Sequence, residues 1–234
     1  MTMSATHTAI LVAHGQPSAP QPPEAALREV AHAVGTHLPG WEVRSATLAC
    51  PGALEKVMVD GAVIYPFFMA RGWFTSKVLP DRLKGRNYIM ATPFGLDPDL
   101  PGVAAGMVRG AQRAAGWSEQ PLSLLLAAHG SARGPKAAEA AEDFAARLRD
   151  LLPGATIEPA YVEQAPGIDE AARALPAQTL CLPFFAQSGD HVRQDIPEAL
   201  AEAAFQGALL PVLGSAEGVP TLIARAIRHT LGKD

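Results

Sequence analysis

Two stretches of this chain carry the same pattern. "AILVAHGQP" at 9–17 and "LLLAAHGSA" at 124–132 each run as an apolar segment into a His-Gly pair, so His14-Gly15 corresponds to His129-Gly130 at an offset of 115. "LPG" at 38–40 recurs at 152–154, an offset of 114. "YPFFMARGWFTSKVLPDRL" at 65–83 aligns with "LPFFAQSGDHVRQDIPEAL" at 182–200 at a constant offset of 117, and Gly95 and Pro101 match Gly214 and Pro220 at 119. Small gaps account for the drift. A duplicated unit restricts the fold, because both copies must bury the same pattern, and it displays which positions each copy kept.

Within each copy, short apolar runs alternate with longer amphipathic stretches. In the second half the periodicity predicts strands over 122–128, 155–162, 179–184 and about 208–213, and helices over 136–151, 168–175, 192–206 and 219–231. Such alternation produces a parallel sheet with helices on both faces, and right-handed crossovers bring every strand's carboxyl end to one edge. Open sheets of this kind bind ligands along that edge. The expected architecture is α/β: two similar doubly wound, Rossmann-like three-layer lobes, 1–117 and 118–234, joined near "GWSEQP" (116–121) and facing a central cleft. Gly102, Gly106 and Gly110 form a small-residue stripe on a predicted helix, read as allowing close packing on the sheet.

A length of 234 residues suffices for one large domain or two lobes, each with its own core. With 48% hydrophobic and 18% charged residues the chain is globular, and a net charge of −4 argues against a nucleic-acid binder with a basic face. Cys50 and Cys181 form no CxxC and are too few for a Cys-ligated zinc or iron–sulfur site; both are expected to pack as small apolar residues in a reducing compartment. "MTMSATHT" has no basic start or signal-type apolar core, and no long apolar run follows. The expectation is a cytoplasmic protein with no membrane partner. There is no GxGxxG and no phosphate-binding loop, so no nucleotide is expected.

Three side chains of the second half fall at predicted strand ends: His129, Glu163 after "IEPAYV", and His191 after "CLPFFAQSGD". Neighbouring strands lie roughly 5 Å apart, so these groups can converge on one ligand. Two imidazoles and a carboxylate suit a divalent first-row metal and leave coordination positions open for exchange. The first half is an internal control. It keeps His14, but Phe74 stands where His191 does, and Glu163 falls on Leu48 or Ala49 depending on the gap. Trp73 and Phe74 offer either a flat apolar surface for a planar ligand or ordinary core filling. His7 in the N-terminal tail, His32 and His37 on a helix, and His229 near the last helix end read as structural.

"LLLAAHGS", "EPAYVEQAPG" and above all "LPFFAQSGDHVRQDIPEAL" resemble the three motifs of the class II tetrapyrrole chelatases, specifically the sirohydrochlorin cobalto- and ferrochelatases of the CbiX/SirB type. The resemblance runs over both halves. It implies a chelatase-like two-lobed fold and insertion of cobalt or iron(II) into sirohydrochlorin, without ATP, on the way to cobalamin or sirohaem. It also implies that His129 and His191 bind the metal with Glu163 assisting; His14, whose half lacks the other two groups, is expected to be at most secondary. Insertion displaces two pyrrole protons, so bases are needed beside the metal; neutral histidine and ionised Glu163 can both serve. The carboxylates of sirohydrochlorin call for cationic donors, for which Arg133, Lys136 and Arg193 adjoin the motifs, while Ser131 and nearby amides can take an anion. One feature departs from the pattern. The two-lobed sirohydrochlorin enzymes carry the complete set in the N-terminal half, whereas a complete set in the C-terminal half, as here, is more similar to protoporphyrin ferrochelatase or the CbiK-type cobaltochelatases. Which metal and tetrapyrrole are used, and whether the chain forms a homodimer, stay open.

Two other functions compete. "ILVAHGQ" approaches the Arg-His-Gly of histidine phosphatases, but Ala13 and Ala128 stand where the phosphoryl-gripping arginine is needed. A non-catalytic metal- or tetrapyrrole-binding protein would use the same ligands without insertion.

Overall fold

The first strand of each repeat is buried on both faces, which is why it reads as a continuous apolar run. The computed structural model describes residues 7–132 and 134–232. The first repeat contains β1 (His7–Ala13), α1 (Gln21–Thr36), β2 (Trp41–Thr47), α2 (Ala53–Val57), β3 (Ala62–Pro66), a π-helical turn (Phe74–Val78) continuing into α3 (Leu79–Arg82), β4 (Tyr88–Met90) and α4 (Leu100–Ala114). The second follows the same order. It contains β5 (Ser123–Ala128), α5 (Lys136–Leu151), β6 (Thr156–Tyr161), α6 (Ile168–Arg173), β7 (Thr179–Pro183), a π-helical turn (His191–Asp195) continuing into α7 (Ile196–Glu202), β8 (Ala208–Leu209) and α8 (Val219–Thr230). His7, expected in the tail, opens β1 and rests its ring 4.9 Å from Trp41.

Each repeat forms a four-stranded, all-parallel sheet, in the orders β2-β1-β3-β4 and β6-β5-β7-β8. The first strand of each repeat is thus flanked by the second and third, so the chain reverses its direction of winding beside it. On one face of the second sheet, Leu125, Ala127, Ala160, Ile168, Ala172, Cys181, Ile196 and Leu200 form a buried cluster. Each has a counterpart in the first: Ile10, Val12, Ala46, Leu54, Met58, Ile64, Leu79 and Leu83. These pairs follow the offsets of the sequence repeat, so one packing scheme is used twice. Cys181 belongs to this core, where burial pushes its thiol up to about 12, while Cys50 is half-buried.

The packing units cut the chain differently from the repeat. One unit takes in the chain up to Asp97 together with the segment from Glu217 onward, and the other is Pro98–Ala216. Within the first, α8 packs on α1 and β3; within the second, α4 packs on α5 and β7. These units differ from the 1–117 and 118–234 division expected from the repeat: the helix that closes each repeat packs on the sheet of the other. The face that α4 buries carries Leu100, Ala104 and Val108 at helical spacing. Its glycine stripe does something else. A Cβ on Gly102, Gly106 or Gly110 would meet nothing within 4 Å, so the close packing read from their spacing is not what they provide. Among the described residues no helix is long and apolar enough to cross a membrane.

Glycine is required elsewhere. A Cβ on Gly214 would lie 1.9 Å from the Ala186 carbonyl oxygen, and one on Gly95 would lie 2.0 Å from that of Met69. Two substitutions should therefore shift stability in opposite directions. Gly106→Ala removes backbone freedom from an exposed helix interior and should stabilise by about 0.5–1 kcal/mol. Gly214→Ala must move backbone and should cost about 3 kcal/mol. Urea unfolding of both variants checks the pair; equal midpoints would refute the distinction.

Candidate metal centre

Because β5 ends at Ala128, the next residue, His129, emerges at the carboxyl edge of the central strand. Gly130 then turns with φ +68, and a Cβ there would fall 2.7 Å from Gln164 Cγ and 2.9 Å from Tyr161 Cβ. Glycine is needed both for the left-handed turn and for the close approach of the β6 loop. The same holds at Gly15, with φ +75 and Thr47 Cβ at 2.7 Å. The His-Gly pair is thus scaffold in both repeats.

The parallel ladder continues past the strands: Val162 N–H donates to the Ala128 carbonyl and Glu163 N–H to that of His129, at 3.0 Å each. Backbone pairing therefore sets Glu163 beside His129. Gln164 ties the loops further, its Oε1 accepting from Ser131 N–H at 2.8 Å. Below them, the Tyr161 hydroxyl donates to Glu142 at 2.7 Å, and burial followed by that carboxylate raises the phenol above its ordinary range. Tyr161 stays a protonated donor, tying β6 to α5.

His191 arrives from the third strand. β7 ends at Pro183, and His191 opens the wide π-helical turn His191–Asp195. Its ring lies 4.6 Å from that of His129 at 84°. One ligand atom each from His129, Glu163 and His191 fall within 4.8 Å of one another, and Glu163 Oε2 is 3.7 Å from His129 Nδ1. The three side chains are 37–45% exposed, open to a ligand arriving from solvent. His129 Nδ1 lies 2.8 Å from the Gly130 carbonyl oxygen and His191 Nδ1 lies 2.5 Å from Asp195 Oδ2. If each Nδ1 carries the hydrogen, each Nε2 is left as a lone-pair donor. Two neutral imidazoles and one carboxylate can hold a divalent cation while leaving positions for water or another ligand.

The first repeat shows the frame without the ligands. Ala49 N–H donates to the His14 carbonyl at 2.8 Å, so Ala49 rather than Leu48 occupies the place of Glu163. Phe74 opens the π-helical turn Phe74–Val78 and packs edge-on against His14, centroids 4.2 Å apart at 78°. That is nearly the geometry of His129 with His191. Phe74 is half-buried, whereas Trp73 beside it is 66% exposed, so of the two only Phe74 fills space within its unit.

Among the other expected residues, Arg193 pairs with Asp190 at 3.5 Å, both half-exposed, and Lys136 opens α5 on the surface. Ser131 precedes α5 by several residues and does not cap it; its N–H is donated to Gln164. Arg133 lies outside the described residues. Ala13 and Ala128 are buried strand residues, which leaves no arginine there for a phosphatase. The sequence reading missed Asp195. Its signal was the spacing of four from His191, which puts both on one helical face.

A sequence-family profile for CbiX matches residues 123–230, a span that contains His129, Glu163 and His191. The solved structure of CbiX, described as the terminal enzyme for biosynthesis of siroheme in denitrifying bacteria, is 42% identical with a TM-score of 0.88, covering 95% of this chain and 99% of that one. SirB from Bacillus subtilis with iron(III) superposes with a TM-score of 0.72 at 14% identity, covering 96% of each chain. The sirohydrochlorin chelatase SirB from Bacillus subtilis subspecies spizizenii, in complex with cobalt, gives 0.64 at 16%, covering 96% of this chain and 95% of that one. These two share the fold. A search of curated proteins found no significant match.

If the first repeat lacks only ligands, supplying them should create a second centre. The triple variant Ala49→Glu, Phe74→His, Val78→Asp, which also supplies the counterpart of Asp195, should raise Co2+ stoichiometry from one to two per chain in equilibrium dialysis. An unchanged stoichiometry in the folded variant would show that the frame itself has diverged.

Proposed function

The chain belongs to the CbiX family, and we propose that it inserts a divalent metal, cobalt(II) or iron(II), into sirohydrochlorin or a related tetrapyrrole without ATP, in sirohaem or cobalamin biosynthesis. The observation that carries this is the convergence of His129, Glu163 and His191 at an exposed sheet edge, their ligand atoms within 4.8 Å.

Insertion exchanges one M2+ for two N–H protons of the macrocycle, so the site has to present a metal and accept protons in the same place. His129 and His191 hold the metal through nitrogen and Glu163 supplies oxygen. As the ring nitrogens take over coordination, these three donors are released and become acceptors for the departing protons. The metal is a substrate here, and a site with open positions suits delivery.

Arg193 and Arg133, with Ser131, are the proposed contacts for the peripheral carboxylates, since guanidinium grips carboxylate in a fork. Trp73 and Phe74 are the proposed apolar contacts for the macrocycle; the exposure of Trp73 supports this. Ala49 and Phe74 stand beside His14 where Glu163 and His191 stand beside His129, so His14 is given at most a secondary role. The same reading places the protein in the cytoplasm with tetrapyrrole and metal as partners, and it is compatible with a homodimer.

Incubating the protein with sirohydrochlorin and Co2+ or Fe2+ should change the visible absorbance faster than a protein-free control. His191→Ala should lower the insertion rate at least about 100-fold, since even outer-shell losses at metal sites cost 10–100-fold. His14→Ala should stay within about threefold of the parent. Metal binding without accelerated insertion would favour the carrier reading.

A further inference from the structure

We propose that Asp195 is a positioning residue: by accepting the Nδ1 hydrogen of His191 it fixes the tautomer and ring plane that leave Nε2 bare for the incoming metal. The inference rests on the reading of this site as the insertion centre.

A neutral imidazole exists as two tautomers, and only the nitrogen without hydrogen can coordinate. The two metal-binding histidines settle this choice by different means. His129 has Nδ1 2.8 Å from the Gly130 carbonyl oxygen, so the backbone of its own turn holds the ring. His191 has Asp195 Oδ2 at 2.5 Å from Nδ1, so its tautomer depends on a side chain. The two residues are the first and last of the π-helical turn His191–Asp195. The carboxylate also makes the imidazole a stronger donor to a cation, as such outer partners do at metal sites.

Three observations separate this role from a structural one. The first repeat forms the same turn, Phe74–Val78, with Val78 in the place of Asp195 and Phe74 in that of His191, so the turn does not need the carboxylate. The imidazole and its acceptor are missing there together, as expected if one exists to serve the other. The pair is also more than a third exposed on both sides, where an ion pair adds little to stability. Nor do its surroundings select a negative charge for attraction: Asp195 shares a surface depression with Glu198, Glu202 and Asp169, of which Asp169 is bound to Arg173.

The test uses Asp195→Ala and Asp195→Asn in the full chain. Long-range 1H–15N NMR should find His191 carrying its hydrogen on Nδ1 in the parent and moving to Nε2 in Asp195→Ala. Co2+ affinity, followed by its visible absorption, should weaken about 10- to 100-fold in Asp195→Ala. The KM for metal should rise in step while the KM for tetrapyrrole and the thermal midpoint hold. Asp195→Asn keeps an acceptor oxygen at the same reach and should recover most of the affinity. Unchanged Co2+ affinity in Asp195→Ala would overturn the proposal, as would an Asp195→Asn loss equal to that of alanine. Failure of the parent to insert metal would sink the chelatase reading alone, because the NMR and Co2+ titrations decide on Asp195 without turnover.

Discussion

The backbone hydrogen bond from Glu163 N–H to the His129 carbonyl is the constraint on which the site depends. It extends the parallel β5–β6 ladder beyond the last strand residues and so fixes the spacing of two side chains before either has any chemistry. Its twin, from Ala49 N–H to the His14 carbonyl, forms without any ligand at the donor position. The bond therefore comes from the sheet, and the site is placed on it. The glycine after each histidine completes the device, since the next strand's loop passes where a Cβ would stand.

Duplication let the frame and the chemistry separate. Both repeats keep the order of strands, the clustered core residues and the π-helical turn, whereas His129, Glu163, His191 and Asp195 are met in the other repeat by His14, Ala49, Phe74 and Val78. Phe74 on His14 preserves the edge-on ring contact of His191 on His129 with one partner unable to coordinate. In the complete repeat, the one thiol near the sheet is Cys181, and burial keeps it protonated and inert.

Much of this was legible in the sequence because it follows from period and offset. The strands of the second repeat lie within a residue or two of expectation, except β8, which ends at Leu209, two residues before Pro211 on an edge strand that proline cuts short. His129, Glu163 and His191 were visible because strand ends in a parallel sheet face one way. What stayed hidden was information that period does not carry. The spacing of Gly102, Gly106 and Gly110 says that they share a face but not which face, and the exchange of α4 and α8 leaves the repeat pattern unaltered. A gap in an alignment has no fixed position until the ladder chooses Ala49 over Leu48. Asp195 lay one helical turn beyond His191, well past the end of β7 at Pro183, where no strand argument reaches.

A metal-transfer site also has to bind less well than the molecule it feeds. Storage or structural centres close four protein ligands around the ion and shield it, whereas here three donors stand on an edge with side chains about two-fifths exposed. A tetrapyrrole offers four nitrogens already linked in one ring, so it pays the ordering entropy once, while the protein's three donors come from separate loops. Four linked nitrogens against three unlinked donors favour the macrocycle as the final holder of the ion. Under the proposed function, three protein ligands rather than four would let the ion leave for the macrocycle, and a fourth would hold it back.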